Sequence, residues 1–279
     1  MKALLLALAV AVISGCATGP RIDTRYTAIS QGSRVQYVIL HYTVVDFPSS
    51  LRILTEQAAS SHYLVDAAPV NIYRLVDENR RADHAGESYW KGSRGLNATS
   101  IGIEIVNDGY HDTPEGRVWF DYPKAQIDAV VELLKQVVNR HEIRPDRILA
   151  HGDVAPQRKV DPGPRFPWKQ LADAGLIVWP DAAQVASRRI EFERQLPEVA
   201  WFQKKLAGHG YAVPQNGMLD EETRNVLAVF QMKYRPARFD GNPDPETAAI
   251  LDVLTSMPMP AFRKVVSIPG SESQGMPNA

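Results

Sequence analysis

Apolar and polar positions along this chain follow two periods, and the switches between them mark its elements. VQYVILHYT, residues 35 to 43, is β-branched and aromatic, too short for a typical helix, and reads as a buried strand with His41 near its carboxyl end. Pro48 and Ser49 open a helix to about Ala59, with Leu51, Leu54 and Ala58 on one face. HYLVD and NIYRLVD, joined through a turn with Pro69, read as a hairpin. After a polar loop at 78 to 98, SIGIEIVND alternates: Ile101, Ile103 and Ile105 face one side, and Gly102, Glu104 and Val106 the other. Pro123 suits the first position of a helix to about Arg140, whose stripe is Ile127, Val130, Leu134, Val137 and Val138. RILA is a short strand delivering His151, and Trp168 to Ala174 is a short helix closed by Gly175. Strands alternating with helices predict an α/β domain over 34–177, with a mixed central β-sheet flanked by helices.

The pattern changes after that. Residues 178–195 are a charged stretch read as a linker with helical character (RRIEFERQL). GMLDEETRNVL at 217 to 227 is then echoed by GNPDPETAAIL at 241 to 251. In each copy the glycine permits a tight turn and the aspartate, Asp220 or Asp244, can cap a helix. With Val199, Phe202 and Leu206 on a preceding helix, residues 196–255 form a small three-helix domain. Residues 256–279, rich in Pro, Ser and Gly, read as a disordered tail.

Composition narrows the function classes. The 279 residues carry a net charge of −1, which gives no support for nucleic-acid binding, since that usually needs a concentrated basic face. The one cysteine, Cys16, rules out an internal disulfide or a thiolate metal site. Lys2, the apolar run ALLLALAVAVIS and Gly15-Cys16 form a secretory signal over 1–16, and Ile13-Ser14-Gly15-Cys16 resembles a bacterial lipobox. That resemblance implies lipidation at Cys16. Ala17 after it favours the outer membrane, with 17–33 as a tether and the protein facing the periplasm. Buried acyl carbons, at roughly 0.8 kcal/mol per CH₂, supply the anchor.

Candidate chemistry gathers at strand ends. A lone carboxylate in an alternating strand, Glu104, is costly to bury unless a cation lies near it. His41, His151 and Asp161 offer two imidazoles and a carboxylate, the number of protein ligands a catalytic zinc takes. Lys159 stands two positions before Asp161 in a loop containing Pro156, Pro162 and Pro164. His62 reads as structural or supporting, and His111, His141 and His209 as surface residues.

VILHYT, SSHYLVD, DHAGESYWKGSRGLNATSIGIEIVN and HGDVAPQRKVDPGP occur in an order that resembles the zinc-dependent N-acetylmuramoyl-L-alanine amidases of the AmpD/AmiD type, over roughly residues 30 to 177. The resemblance implies cleavage of the amide joining N-acetylmuramic acid to L-alanine in peptidoglycan. By motif, His41, His151 and Asp161 match the ligands of one Zn²⁺, Glu104 the catalytic carboxylate and Lys159 the catalytic lysine. His84, Arg94 and Asn97 fall in the loop that borders the substrate in the family. The C-terminal repeat, with WFQKKLAGHGY before it, resembles the three-helix peptidoglycan-binding domain of cell-wall hydrolases. The partners implied are peptidoglycan, muropeptides and the outer membrane. The rival readings are a non-catalytic peptidoglycan-recognition protein and a membrane-to-wall tether. On the enzyme reading, removing residues 196 to 279 is expected to spare activity on soluble muropeptides.

Overall fold

A computed structural model describes Pro20 and residues 22 to 266, so Cys16 and the signal segment lie outside the described residues. Residues 22 to 32 contain no helix or strand and are exposed. From Ser33 to residue 266 the chain forms one compact unit. Its elements in order are β1 (Tyr37–Tyr42), α1 (Phe47–Glu56), β2 (Tyr63–Val65), β3 (Ile72–Arg74), β4 (Tyr89–Trp90), β5 (Ser93–Arg94), β6 (Ser100–Ile105), β7 (Tyr110–Thr113) and β8 (Gly116–Trp119). There follow α2 (Lys124–His141), β9 (Ile148–Ala150), α3 (His151–Val154), α4 (Trp168–Asp173), α5 (Ala182–Arg194), α6 (Val199–His209), α7 (Glu221–Tyr234) and α8 (Pro245–Ser256).

The central sheet has five strands in the order β3-β2-β6-β1-β9. β1 pairs in parallel with β6 and β9, β2 in parallel with β6, and β3 antiparallel to β2, so the sheet is mixed. The alternation of β1 and β6 divides the core. Val38, Leu40, Ile101, Ile103 and Ile105 turn to the face covered by α2, meeting Ile127, Val130, Leu134 and Val137. Tyr37, Ile39 and Leu149 turn to the other face and pack in one cluster with Phe202, Leu206, Tyr211, Val226 and Phe230. That face also carries Gly102 in mid-strand, and His41 and Glu104 toward the carboxyl ends of parallel strands.

The C-terminal repeat is a paired device. Asp220 caps α7 by accepting from the Thr223 N–H, and Asp244 caps α8 by accepting from the Thr247 N–H. A buried glutamine clamps each glycine turn from the preceding helix. Gln203 Oε1 accepts from Gly217 N–H at 2.8 Å, and its Nε2 donates to Met218 O and Thr223 Oγ1. Gln231 repeats this with Gly241 N–H at 2.9 Å, Asn242 O and Thr247 Oγ1. Both glycines sit at φ 72°, where a side chain is strained.

Four expectations need correction. The stretch read as a linker has the helical character expected, as helix α5 capped by Asp181, but it is no free connector, because Val185 and Phe192 pack on the second cluster. The tail is ordered through 266, because Phe262 and Val265 pack on the first cluster and Val265 exchanges two backbone–amide bonds with Asn139. His141 is not a free surface group: its Nε2 meets Glu78 Oε2 at 2.8 Å, beside Arg140 and the Tyr63 hydroxyl on the same carboxylate. Burial alone would raise the Glu78 carboxyl, but those three partners outweigh it and hold the group well below the usual range. His209 packs among the rings of Trp90, Tyr211, Phe230 and Tyr234, where burial, then Lys233, pushes its pKa down to about 3.

Candidate active site

Three side chains converge above the carboxyl ends of β1 and β9. His41 is the fifth residue of β1, and its Cα partner across the parallel pairing is Glu104 of β6. His151 begins α3 directly after β9. Asp161 returns to it because the loop between them is closed by its own backbone: Gly152 N–H donates to Asp161 O at 3.0 Å, and the Arg158 and Lys159 N–H groups both donate to Ala155 O. His41 Nδ1 lies 2.9 Å from His151 Nδ1, and each lies 3.1 Å from Asp161 Oδ2. All three residues are buried.

The bonds behind these atoms fix where the protons are. The Ser100 hydroxyl donates to Leu96 O, so its oxygen accepts from His84 Nε2–H at 3.1 Å. His84 Nδ1 is then bare and accepts from His41 Nε2–H at 3.0 Å. On the other side His151 Nε2–H donates to Ala85 O at 3.2 Å. With the rings neutral, as metal ligands must be, both Nδ1 atoms are bare, and with Asp161 Oδ2 they form three acceptors facing one another. Such an arrangement is repulsive unless a cation sits among them. Burial, then His151, pushes His41 down to about 4, which keeps the imidazole neutral as a ligand must be. Two imidazoles and a carboxylate are a zinc-type donor set with a position left open, so the residues fit a metal ion.

A cleft of about 580 Å³ opens over this centre, lined by Glu104, Lys159, Tyr110 and Ser60 as well as the three converging residues. Burial, then the Asp161 carboxylate, raises the Glu104 carboxyl well above its ordinary value, while Lys159 opposes the shift. A carboxyl so raised holds a proton more readily than an ordinary glutamate, as a general base that must pass its proton on requires.

The loop residues expected at the substrate fall differently. His84 is a buried support behind His41, although it reaches the cleft wall. Asn97 is occupied within the loop, where its Oδ1 accepts from Ala85 N–H at 2.7 Å and its Nδ2 donates to Asp83. Arg94 is exposed on β5 with its guanidinium over the Tyr89 ring, and neither it nor Asn97 lines the cleft. Two residues that support the site escaped the sequence reading. Ser100 carried no signal. Gly102 did, since glycine inside a strand marks close approach: a methyl group there would lie 2.4 Å from the His84 ring.

Comparison with known proteins gives the family. Residues 31–164 match the family model for N-acetylmuramoyl-L-alanine amidase, and residues 195–251 match one for a peptidoglycan-binding domain. The chain is 40% identical over 264 residues to the N-acetylmuramoyl-L-alanine amidase AmiD of Escherichia coli K12, covering 89% of this chain and 95% of that one. A crystal structure of E. coli AmiD in complex with anhydro-N-acetylmuramic acid-L-Ala-D-γ-Glu-L-Lys superposes with TM-score 0.77 at 41% identity, covering 85% of this chain and 94% of that one. AmpDh3 from Pseudomonas aeruginosa superposes with TM-score 0.78 at 40% identity, over 85% and 98% of the two chains. The chain therefore belongs to the N-acetylmuramoyl-L-alanine amidase family, as a hydrolase of the muramoyl–alanine amide with a C-terminal peptidoglycan-binding domain.

Proposed function

We propose that this amidase works with one zinc ion held by His41 Nδ1, His151 Nδ1 and Asp161 Oδ2. The observation that carries the reading is that these three buried ligand-type atoms lie within 3.1 Å of one another. Zinc supplies polarisation of the scissile carbonyl and lowers the pKa of a bound water to about 7. Glu104 takes the proton of the attacking water and passes it to the leaving alanine nitrogen. Lys159 holds positive charge at the cleft where the amide oxygen becomes anionic. The AmiD complex supports an anhydro-muropeptide as a substrate of this chain as well.

The lipobox ending at Cys16 supports an outer-membrane lipoprotein facing the periplasm, which places the enzyme beside its polymer. Among the described residues no helix is long and apolar enough to cross a membrane. The substitution Asp161→Ala tests the metal reading: bound zinc and hydrolysis of sacculi should both fall at least a hundredfold, while pelleting with sacculi persists. Full activity in a zinc-free Asp161→Ala protein would overturn it.

A further inference from the structure

We infer that the C-terminal module positions the catalytic site: through Lys233 and Tyr211 it holds the short helix that presents His151, and so sets how tightly the metal is bound. The inference rests on His41, His151 and Asp161 being the zinc ligands.

Helix α3 has four residues, too few to be stable alone, so its position is imposed by what it touches. Its anchor is Asp153, two residues after His151 and 1% exposed. Both carboxylate oxygens of Asp153 are engaged. Oδ2 accepts from Ala150 N–H at 2.8 Å and from Lys233 Nζ at 2.7 Å, and Oδ1 accepts from the Tyr211 hydroxyl at 2.5 Å. Lys233, in α7, is itself buried, with Nζ 3.4 Å from Ile148 O of β9 and 4.3 Å from the centre of the Trp168 ring. One lysine thus ties together the strand before His151 and the helix that begins with it.

The same module touches the rest of the metal loop. Val229 lies 3.1 Å from where a methyl group on Gly152 would stand, leaving no slack between α7 and α3. Farther along, Gln157 Nε2 donates to Glu222 O at 3.0 Å and Gln157 Oε1 accepts from Asn225 Nδ2 at 3.0 Å. Gly152, Asp153 and Gln157 all lie between the ligands His151 and Asp161, and each meets α7. A buried ion pair is weak evidence for stability but a strong constraint on geometry once formed, since separating its charges inside the protein is costly. Lys233, Tyr211 and Asp153 are accordingly positioning residues. They touch neither substrate nor metal, and they act through His151.

The test uses the full-length zinc protein and reads zinc affinity by chelator competition, alongside thermal melting and sacculus pelleting. Tyr211→Phe keeps the ring and removes one bond to Asp153, so it should fold. It is expected to weaken zinc binding about tenfold, the scale seen when the support of a metal ligand is removed. Its kcat should fall at limiting zinc and recover in excess zinc, with pelleting unchanged. Lys233→Met should lose more. Lys205→Met is the control, because its amine bonds Asp252 and Thr255 inside the module. It should lower the melting temperature and leave zinc affinity within twofold of wild type. Wild-type zinc affinity in Tyr211→Phe, or an equal loss in Lys205→Met, would overturn the inference. Wild-type protein without stoichiometric zinc would overturn the metal reading itself, and this inference with it.

Discussion

Single residues decide the chemistry through where their protons are held. The chain of bonds from Leu96 O through Ser100 and His84 leaves His41 Nδ1 bare, and Ala85 O does the same for His151. The task we propose for Glu104 is the opposite, to take and return a proton, and burial, then the Asp161 charge, raises its carboxyl in keeping with that task. The sign follows directly: the base must be ionised, so kcat/KM falls as pH drops through a pKa lying above the ordinary carboxylate value of about 4.3. Glu104→Gln should lower kcat by about 10² to 10⁴ and abolish that acidic limb, with bound zinc retained. A steady-state pH profile with zinc analysis checks this; an unchanged limb in the variant would assign it to another group. His41, His151 and Asp161 were legible as ligand types in the sequence, and Glu104 as a lone acid in an apolar strand. The role of His84 was not legible, because a buried support and a substrate contact are the same letter in a loop. Only the coordinates show its ring behind His41.

At the scale of elements, period carried most of the information. The alternation at 101 to 106 placed Glu104 opposite the isoleucines, and the parallel register sets it beside His41. The stripe read along α2 lies in the core on the other sheet face. Period failed where elements are short or exposed. β4, β5, β7 and β8 are two to four residues long, with too few positions to show alternation. Helix α5 has no fully buried residue, so its apolar stripe is faint. The glutamines Gln203 and Gln231 were passed over because a polar residue inside an apolar helix face reads as an interruption, whereas each closes the following turn. Gly102 tests the close fit of β6 against the His84 ring. Gly102→Ala must displace a buried ring, so it should cost about 1–3 kcal/mol of stability. It should also weaken zinc binding about tenfold by loosening His41. Melting curves and chelator competition together check it; an unaltered zinc affinity would show that His84 does not orient His41.

The whole molecule differs most from what the sequence suggested. The repeat was recognisable, and residues 195–251 match a peptidoglycan-binding family model, but a boundary in sequence was mistaken for independence in space. Phe202, Tyr211 and Phe230 share one buried cluster with Tyr37, Ile39 and Leu149 of the sheet. Removing residues 196 to 279 would expose that face, and each large apolar side chain returned to water costs about 1.5–3 kcal/mol. With a typical domain stable by only about 5–15 kcal/mol, the truncated chain should unfold or aggregate rather than remain a free-standing amidase. Soluble yield and a thermal melt check this; a truncated protein melting like the whole would contradict it. Wall binding and catalysis are then two uses of one folded body, carried by a sheet with α2 on one face and the repeat on the other.

The central claim is that Glu104, Lys159 and a metal held by His41, His151 and Asp161 hydrolyse the muramoyl–alanine amide. Its most direct test is mass spectrometry of a defined anhydro-muropeptide incubated with the zinc-loaded protein. The account predicts anhydro-N-acetylmuramic acid and a stem peptide with a free N-terminal L-alanine, with both products lost on chelation and restored by zinc. Intact substrate, cleavage at another bond, or undiminished release of the stem peptide after zinc removal would contradict it.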